Sequence, residues 1–124
     1  MDKNQKVKSI RAFIGAKDYK LAKSFYRDLG FEETVISEKM SLFTTAGLSF
    51  YLQDYYVKDW IDNIMMLLEV EDVDEYWRHL QQLELDKKYT DTTKLFPTQQ
   101  HDWGKECLLI DPSGVLWHFA TFCP

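Results

Sequence analysis

Residues 17–31 read KDYKLAKSFYRDLGF, and residues 71–85 read EDVDEYWRHLQQLEL. The first stretch is a helix with both ends marked. Asp18 can cap its N-terminus by accepting from free backbone amides. Leu21, Ala22, Phe25, Tyr26 and Leu29 recur at helical spacing and so share one face. Gly30 supplies the stop, because glycine takes up the left-handed backbone of a helix end without steric cost. The second stretch repeats the design. Asp72 with Glu75 three residues on makes a capping box, and Val73, Tyr76, Trp77, Leu80 and Leu83 form the apolar stripe. A shift of 54 residues puts Ile10 on Ile64, Asp18 on Asp72, Leu29 on Leu83 and Phe31 on Leu85. Self-similarity at this scale predicts paired modules.

Outward from the helices the pattern is extended. Val7–Gly15 reads as a strand before the first helix, and Ile64–Val70 as one before the second. After the first helix come Glu32–Ser37, Met40–Thr45 and Leu48–Gln53, joined by Glu38-Lys39 and Ala46-Gly47, short enough for hairpin turns. After the second come Lys88–Thr92, Gly104–Ile110 and Val115–Phe122. Asp111-Pro112-Ser113-Gly114 joins the last two, with proline and glycine where a type I turn wants them. Each half therefore reads β-α-β-β-β. The expected fold is α+β: one domain of two modules, about residues 7–53 and 64–122, forming a cupped mixed β-sheet with helices on the outside. Asp54–Asn63 links the modules and carries Tyr55, Tyr56 and Trp60, which either bind or simply cover a sheet edge.

The chain has 124 residues, 45% of them hydrophobic and 15% aromatic, enough for one well-buried core without disulfide staples. Its two cysteines, Cys107 and Cys123, make no disulfide framework, which fits a reducing compartment. No apolar run reaches the length of a membrane span, and the opening residues lack the apolar centre of a signal peptide. The expectation is a cytoplasmic protein without a membrane partner. A net charge of −5 argues against nucleic acid.

At this point Lys17-Asp18 through Ser24-Phe25-Tyr26-Arg27-Asp28-Leu29-Gly30-Phe31 resembles the opening of the vicinal oxygen chelate superfamily. Trp103-Gly104-Lys105-Glu106 through Asp111-Pro112-Ser113-Gly114 and Trp117-His118-Phe119 resembles its close. The superfamily includes glyoxalase I, extradiol dioxygenases, fosfomycin-modifying thiol transferases and bleomycin resistance proteins. The resemblance implies the glyoxalase/bleomycin resistance fold over nearly the whole chain. It also implies where a catalytic metal would sit: on Arg11, about Tyr51, Met65 and His118. Arg11 is a permanent cation and cannot ligate. Met65 offers only a soft thioether. His118 alone is an ordinary ligand, where a catalytic site needs about three. No catalytic metal and no cofactor are therefore expected.

The bleomycin resistance branch, which sequesters drug without changing it and acts as dimers with grooves between chains, resembles this chain more closely. Trp103-Gly104 and the aromatic linker carry that likeness. The first reading is a metal-free homodimer that binds a small organic ligand through Arg11, Phe13, Tyr51, Trp60, Met65, Trp103 and His118. A metal-dependent or atypical lyase, isomerase or dioxygenase of the superfamily is the alternative, as is a non-catalytic module that binds a protein partner or regulates a neighbour.

Alternation along strands refines the site. With Arg11 in the cup, Ser9 and Phe13 share its face, and Ile10, Ala12 and Ile14 turn to the helix. Met65, Leu67 and Glu69 point into the cup, as do Leu116, His118 and Ala120, while Trp117 and Phe119 pack beneath the helices. Arg11 needs an anion there, supplied by Glu69, Glu106 or an acidic ligand. His79 and His101 read as surface residues, the latter in a polar loop over Thr98–Asp102. Cys107 reads as inert packing, with no cationic neighbour to activate it.

Overall fold

A computed structural model describes residues 5–123; residues 1–4, part of the opening stretch considered for a signal peptide, and residue 124 lie outside it. In chain order the elements are β1 (Phe13–Gly15), α1 (Tyr19–Leu29), β2 (Glu32–Ser37), β3 (Met40–Thr45), β4 (Leu48–Gln53), α2 (Lys58–Ile61), β5 (Met65–Glu69), α3 (Val73–Leu83), α4 (Leu85–Lys88), β6 (Lys94–His101), β7 (Gly104–Ile110) and β8 (Leu116–Phe122). Two four-stranded sheets form, in the orders β1-β4-β3-β2 and β5-β8-β7-β6. In each, the first and last strand of the half run parallel and the others antiparallel. The two halves are thus wound alike, the mixed α+β architecture expected from the repeat.

The helix signals act as read. Asp18 accepts from the Leu21 N–H at 3.1 Å, and Gly30 closes α1 at φ 116°. Asp72 caps α3 by accepting from the Asp74 and Glu75 N–H groups at 3.0 and 3.2 Å. The apolar stripes then meet over one core. Tyr26 of α1 touches the rings of Phe25, Phe31, Phe43, Phe50 and Trp117, with centroids 5.0 to 6.1 Å away. Trp117 and Phe119 are buried beneath the helices, and Phe119 packs on Tyr76 of α3 at 4.7 Å. No helix among the described residues is long and apolar enough to cross a membrane.

A buried polar network ties the halves together. Asp111 is wholly inaccessible. Its Oδ1 accepts from the N–H groups of Ser113, Gly114 and Val115 at 2.8–2.9 Å. Its Oδ2 accepts from the Tyr26 hydroxyl at 2.5 Å, and that hydroxyl accepts from Trp117 Nε1 at 3.0 Å. Burial pushes the Asp111 carboxyl up against the pull of these donors. One carboxylate therefore fixes the β7–β8 turn and anchors α1 to β8. Cys107 is buried, and burial followed by the Glu106 charge pushes its thiol up to about 11. It packs in the hydrophobic core, where the sequence reading placed it.

Three expectations are corrected. The strand read over Val7–Gly15 is only Phe13–Gly15, extended by one hydrogen bond from the Tyr51 N–H to the Ala12 carbonyl at 3.0 Å. β1 is an edge strand with a single neighbour, so alternation in its sequence does not reveal where pairing ends. Ile14 is buried, but Ile10 is fully exposed and Ala12 exposed too, so neither turns to the helix. The strand read over Lys88–Thr92 is instead the turn of helix α4 followed by irregular chain, and β6 begins only at Lys94. Glu84, left-handed at φ 52°, ends α3. Leu85 and Tyr89, one helical turn apart, are then buried in the core. Finally, Thr98–His101 is strand rather than loop, and only Asp102-Trp103 turns between β6 and β7.

Candidate ligand groove

The two parallel strand pairs set the geometry of equivalent residues. Phe13 lies opposite Tyr51 in the first sheet, as Leu67 lies opposite His118 in the second. Tyr51 and His118 therefore hold the same place in the two halves, and so do Arg11 and Met65. Their contacts match as well. Arg11 donates to the Tyr51 hydroxyl at 3.1 Å, and His118 Nε2 lies 3.4 Å from Met65 Sδ. Phe13 stacks on Tyr51 at 5.1 Å.

These residues do not share one cup. Arg11 borders a cavity of about 390 Å³ with Lys8, Phe31, Leu48, Phe50 and Trp117. Met65, Trp103 and His118 line a separate groove of about 430 Å³ with Glu106 and Phe122, and only Met66 and Leu67 border both. Trp60 lines neither. It projects from α2, 61% exposed, its ring 5.9 Å from that of Tyr55. Arg11 is solvent-exposed, and neither Glu69 nor Glu106 pairs with it among the described residues. The need for a buried counter-ion falls away because the guanidinium keeps its water.

Glu106 is committed elsewhere. Its Oε1 lies 2.7 Å from His118 Nδ1, and its Oε2 lies 3.0 Å from His101 Nε2. His101, read as a surface residue, is half-buried and stacks on Trp103 at 5.0 Å with planes 13° apart. Trp103 in turn meets Phe122 at 5.2 Å. Gly104 makes this corner possible, since a Cβ there would lie 2.2 Å from the Thr121 carbonyl oxygen. The chain of contacts runs Met65–His118–Glu106–His101–Trp103–Phe122. Glu106 and His101, the members the sequence reading missed as a link, could have been found by reading Asp102-Trp103 as a two-residue hairpin turn. That register sets Gln99 opposite Glu106 and His101 opposite Gly104, with Leu108 opposite His118 on the next strand.

The groove is an apolar trough with one polar centre. Met65, Leu67, Trp103 and Phe122 are each at least 40% exposed, a cluster of large apolar side chains that marks an interaction surface. The metal expected of the superfamily's enzymes does not fit. Arg11 repels a cation and Met65 suits only soft ions, which leaves His118 as the one ordinary ligand among the four positions. Among the described residues no three His, Cys, Asp or Glu side chains are arranged to hold an ion.

No family model matches the sequence, and no curated protein does. Solved structures do match. A bleomycin-binding protein from Streptomyces verticillus, complexed with copper(II)-bleomycin, superposes with a TM-score of 0.77 at 22% identity, over 94% of this chain and 98% of that one. An antibiotic-binding protein from a Streptomyces species gives 0.74 at 18% identity over 97% and 100%. A lactoylglutathione lyase from Agrobacterium tumefaciens gives 0.67 at 16% identity over 94% and 95%.

Proposed function

We propose that this chain, which has the glyoxalase/bleomycin resistance fold, is a small-molecule binding protein that holds its ligand in the groove between Met65, Leu67, Trp103, Glu106, His118 and Phe122. The observation that carries the reading is the exposed Trp103 indole at the groove's end, braced by His101 and Phe122. A braced aromatic plane beside an apolar trough stacks on a flat guest at little entropic cost. Antibiotic binding by proteins of the same fold supports this reading without fixing the ligand. Tryptophan fluorescence tests it across a panel of planar compounds. Bleomycin comes first, with an anionic aromatic beside it because Arg11 and Lys8 border the neighbouring cavity. Saturable quenching by at least one compound is the expected result, and a panel without effect counts against the groove.

Binding here uses no divalent metal. Protein purified without chelator is expected to carry no stoichiometric ion. Elemental analysis finding about one zinc, nickel, iron or manganese per chain, lost on His118→Ala, would contradict this.

The functional unit we propose is a homodimer. Val7, Ile10, Phe13, Val35 and Leu48 expose apolar side chains of the first half, all beyond half of their area. Edge strands and apolar surface of this kind call for cover, and a two-fold copy of the same chain is its commonest source. Light scattering is expected to give twice the chain mass at micromolar concentration, and a monomer mass throughout would exclude the dimer.

A further inference from the structure

The ring nitrogens of His118 allow more than a wall of a groove. An ionised carboxylate only accepts hydrogen bonds. Glu106 lies 2.7 Å from His118 Nδ1 and 3.0 Å from His101 Nε2. In the neutral rings these two nitrogens therefore carry the protons, and His118 Nε2 is left with its lone pair. That lone pair faces Met65 Sδ at 3.4 Å, a thioether with no proton to give. Met65 is 63% exposed and unbranched, so its side chain can swing aside. What remains is an imidazole base, oriented and charge-compensated by a carboxylate, opening on an apolar trough.

We propose that His118 and Glu106 form a proton-transfer dyad, with His118 Nε2 as general base and Glu106 as its positioning residue, acting on flat, uncharged, largely apolar carbon acids. The substrate class follows from the walls. Met65, Leu67, Trp103 and Phe122 suit a flat apolar body. Apart from Glu106 and His118, no lining residue of the groove is charged or carries a polar hydrogen-bonding side chain except the Trp103 indole. The substrate must therefore carry its own sink for the electrons released, by delocalising them or by expelling them on a leaving group toward solvent. The activity rests on the binding-groove reading, and the test separates the two.

The probe is 5-nitrobenzisoxazole, an aromatic with one acidic ring C–H. His118 Nε2 takes the C3 proton. The C–H electron pair becomes part of the nitrile as the N–O bond breaks, and the negative charge leaves on the phenolate oxygen. The imidazolium then returns its proton to water. Absorbance of the phenolate follows turnover, and tryptophan quenching follows binding. The full-length protein is expected to exceed an equal concentration of free imidazole by about 100-fold or more, the range of a positioned general base. His118→Ala should abolish the excess. Glu106→Gln should lower kcat about tenfold with quenching and KM unchanged, while His79→Ala, on the exposed side of α3, leaves both alone. Quenching without turnover beyond imidazole overturns the dyad and leaves the groove standing. Neither quenching nor turnover removes both. A Glu106→Gln variant that raises KM at constant kcat gives Glu106 a structural part only and overturns its role in the dyad.

Discussion

Replacing Asp111 with alanine is expected to destabilise the fold by about 3–5 kcal/mol, a loss in the upper range for single substitutions, as befits the breaking of a buried hydrogen-bond network. The change strands the backbone N–H groups of Ser113 and Val115 and the Tyr26 hydroxyl, while the Gly114 N–H keeps the backbone carbonyl of residue 111 at 3.1 Å. Each orphaned buried donor costs about 1–3 kcal/mol, and relaxation of the turn recovers part of the sum. Tyr26→Phe is the milder companion. It removes one donor to Asp111 and the acceptor of Trp117 Nε1, and should cost about 1–3 kcal/mol. Denaturant midpoints at unchanged m-value measure both. A loss below about 1 kcal/mol for Asp111→Ala would mean that the halves are held by ring packing alone.

Trp103→Ala is expected to weaken ligand binding by about 1–3 kcal/mol, the loss on truncating an aromatic anchor, which is roughly 5- to 150-fold in Kd. Its effect on stability should be small. The indole is 40% exposed on a two-residue turn, and only His101 and Phe122 lose a stacking neighbour. A core residue would behave oppositely, with a stability loss of about 3–5 kcal/mol and normal binding by whatever stays folded. Thermal melts and a titration of the same variant, using any compound that quenches the parent protein, separate the two cases.

Helices α1 and α3 were legible because their signals are local. Asp18, Gly30 and Asp72 each act on backbone groups within a few residues, and the stripe of α3 lies 54 residues after that of α1 with no insertion between. The hairpins of β2–β4 and β7–β8 were legible from short turns between alternating runs. What failed depends on context. The end of pairing in β1 is set by one neighbouring strand. The insertion of α4 is set by the burial of Leu85 and Tyr89, which short polar surroundings conceal. The candidate site divided in the same way. His118 and Trp103 were named from the motif they sit in, and the structure puts both on one groove with Met65. Glu106 and His101 as their link were missed, because a loop reading of Thr98–Asp102 hides the register that brings them together. Arg11, Phe13 and Tyr51 cluster with one another on the other sheet, a separation that alternation alone does not reveal.

The groove assignment is tested most directly by methionine methyl resonances. Met65 and Met66 line the groove, while Met40 sits on β3 of the other sheet. With methyl-labelled protein and any compound that quenches tryptophan fluorescence, Met65 should shift during the titration and Met40 should stay fixed, with the Met65 shift lost in Trp103→Ala at the same ligand concentration. A titration that moves Met40 and leaves Met65 unchanged would contradict the groove and place the ligand on the first sheet, beside Arg11 and Tyr51.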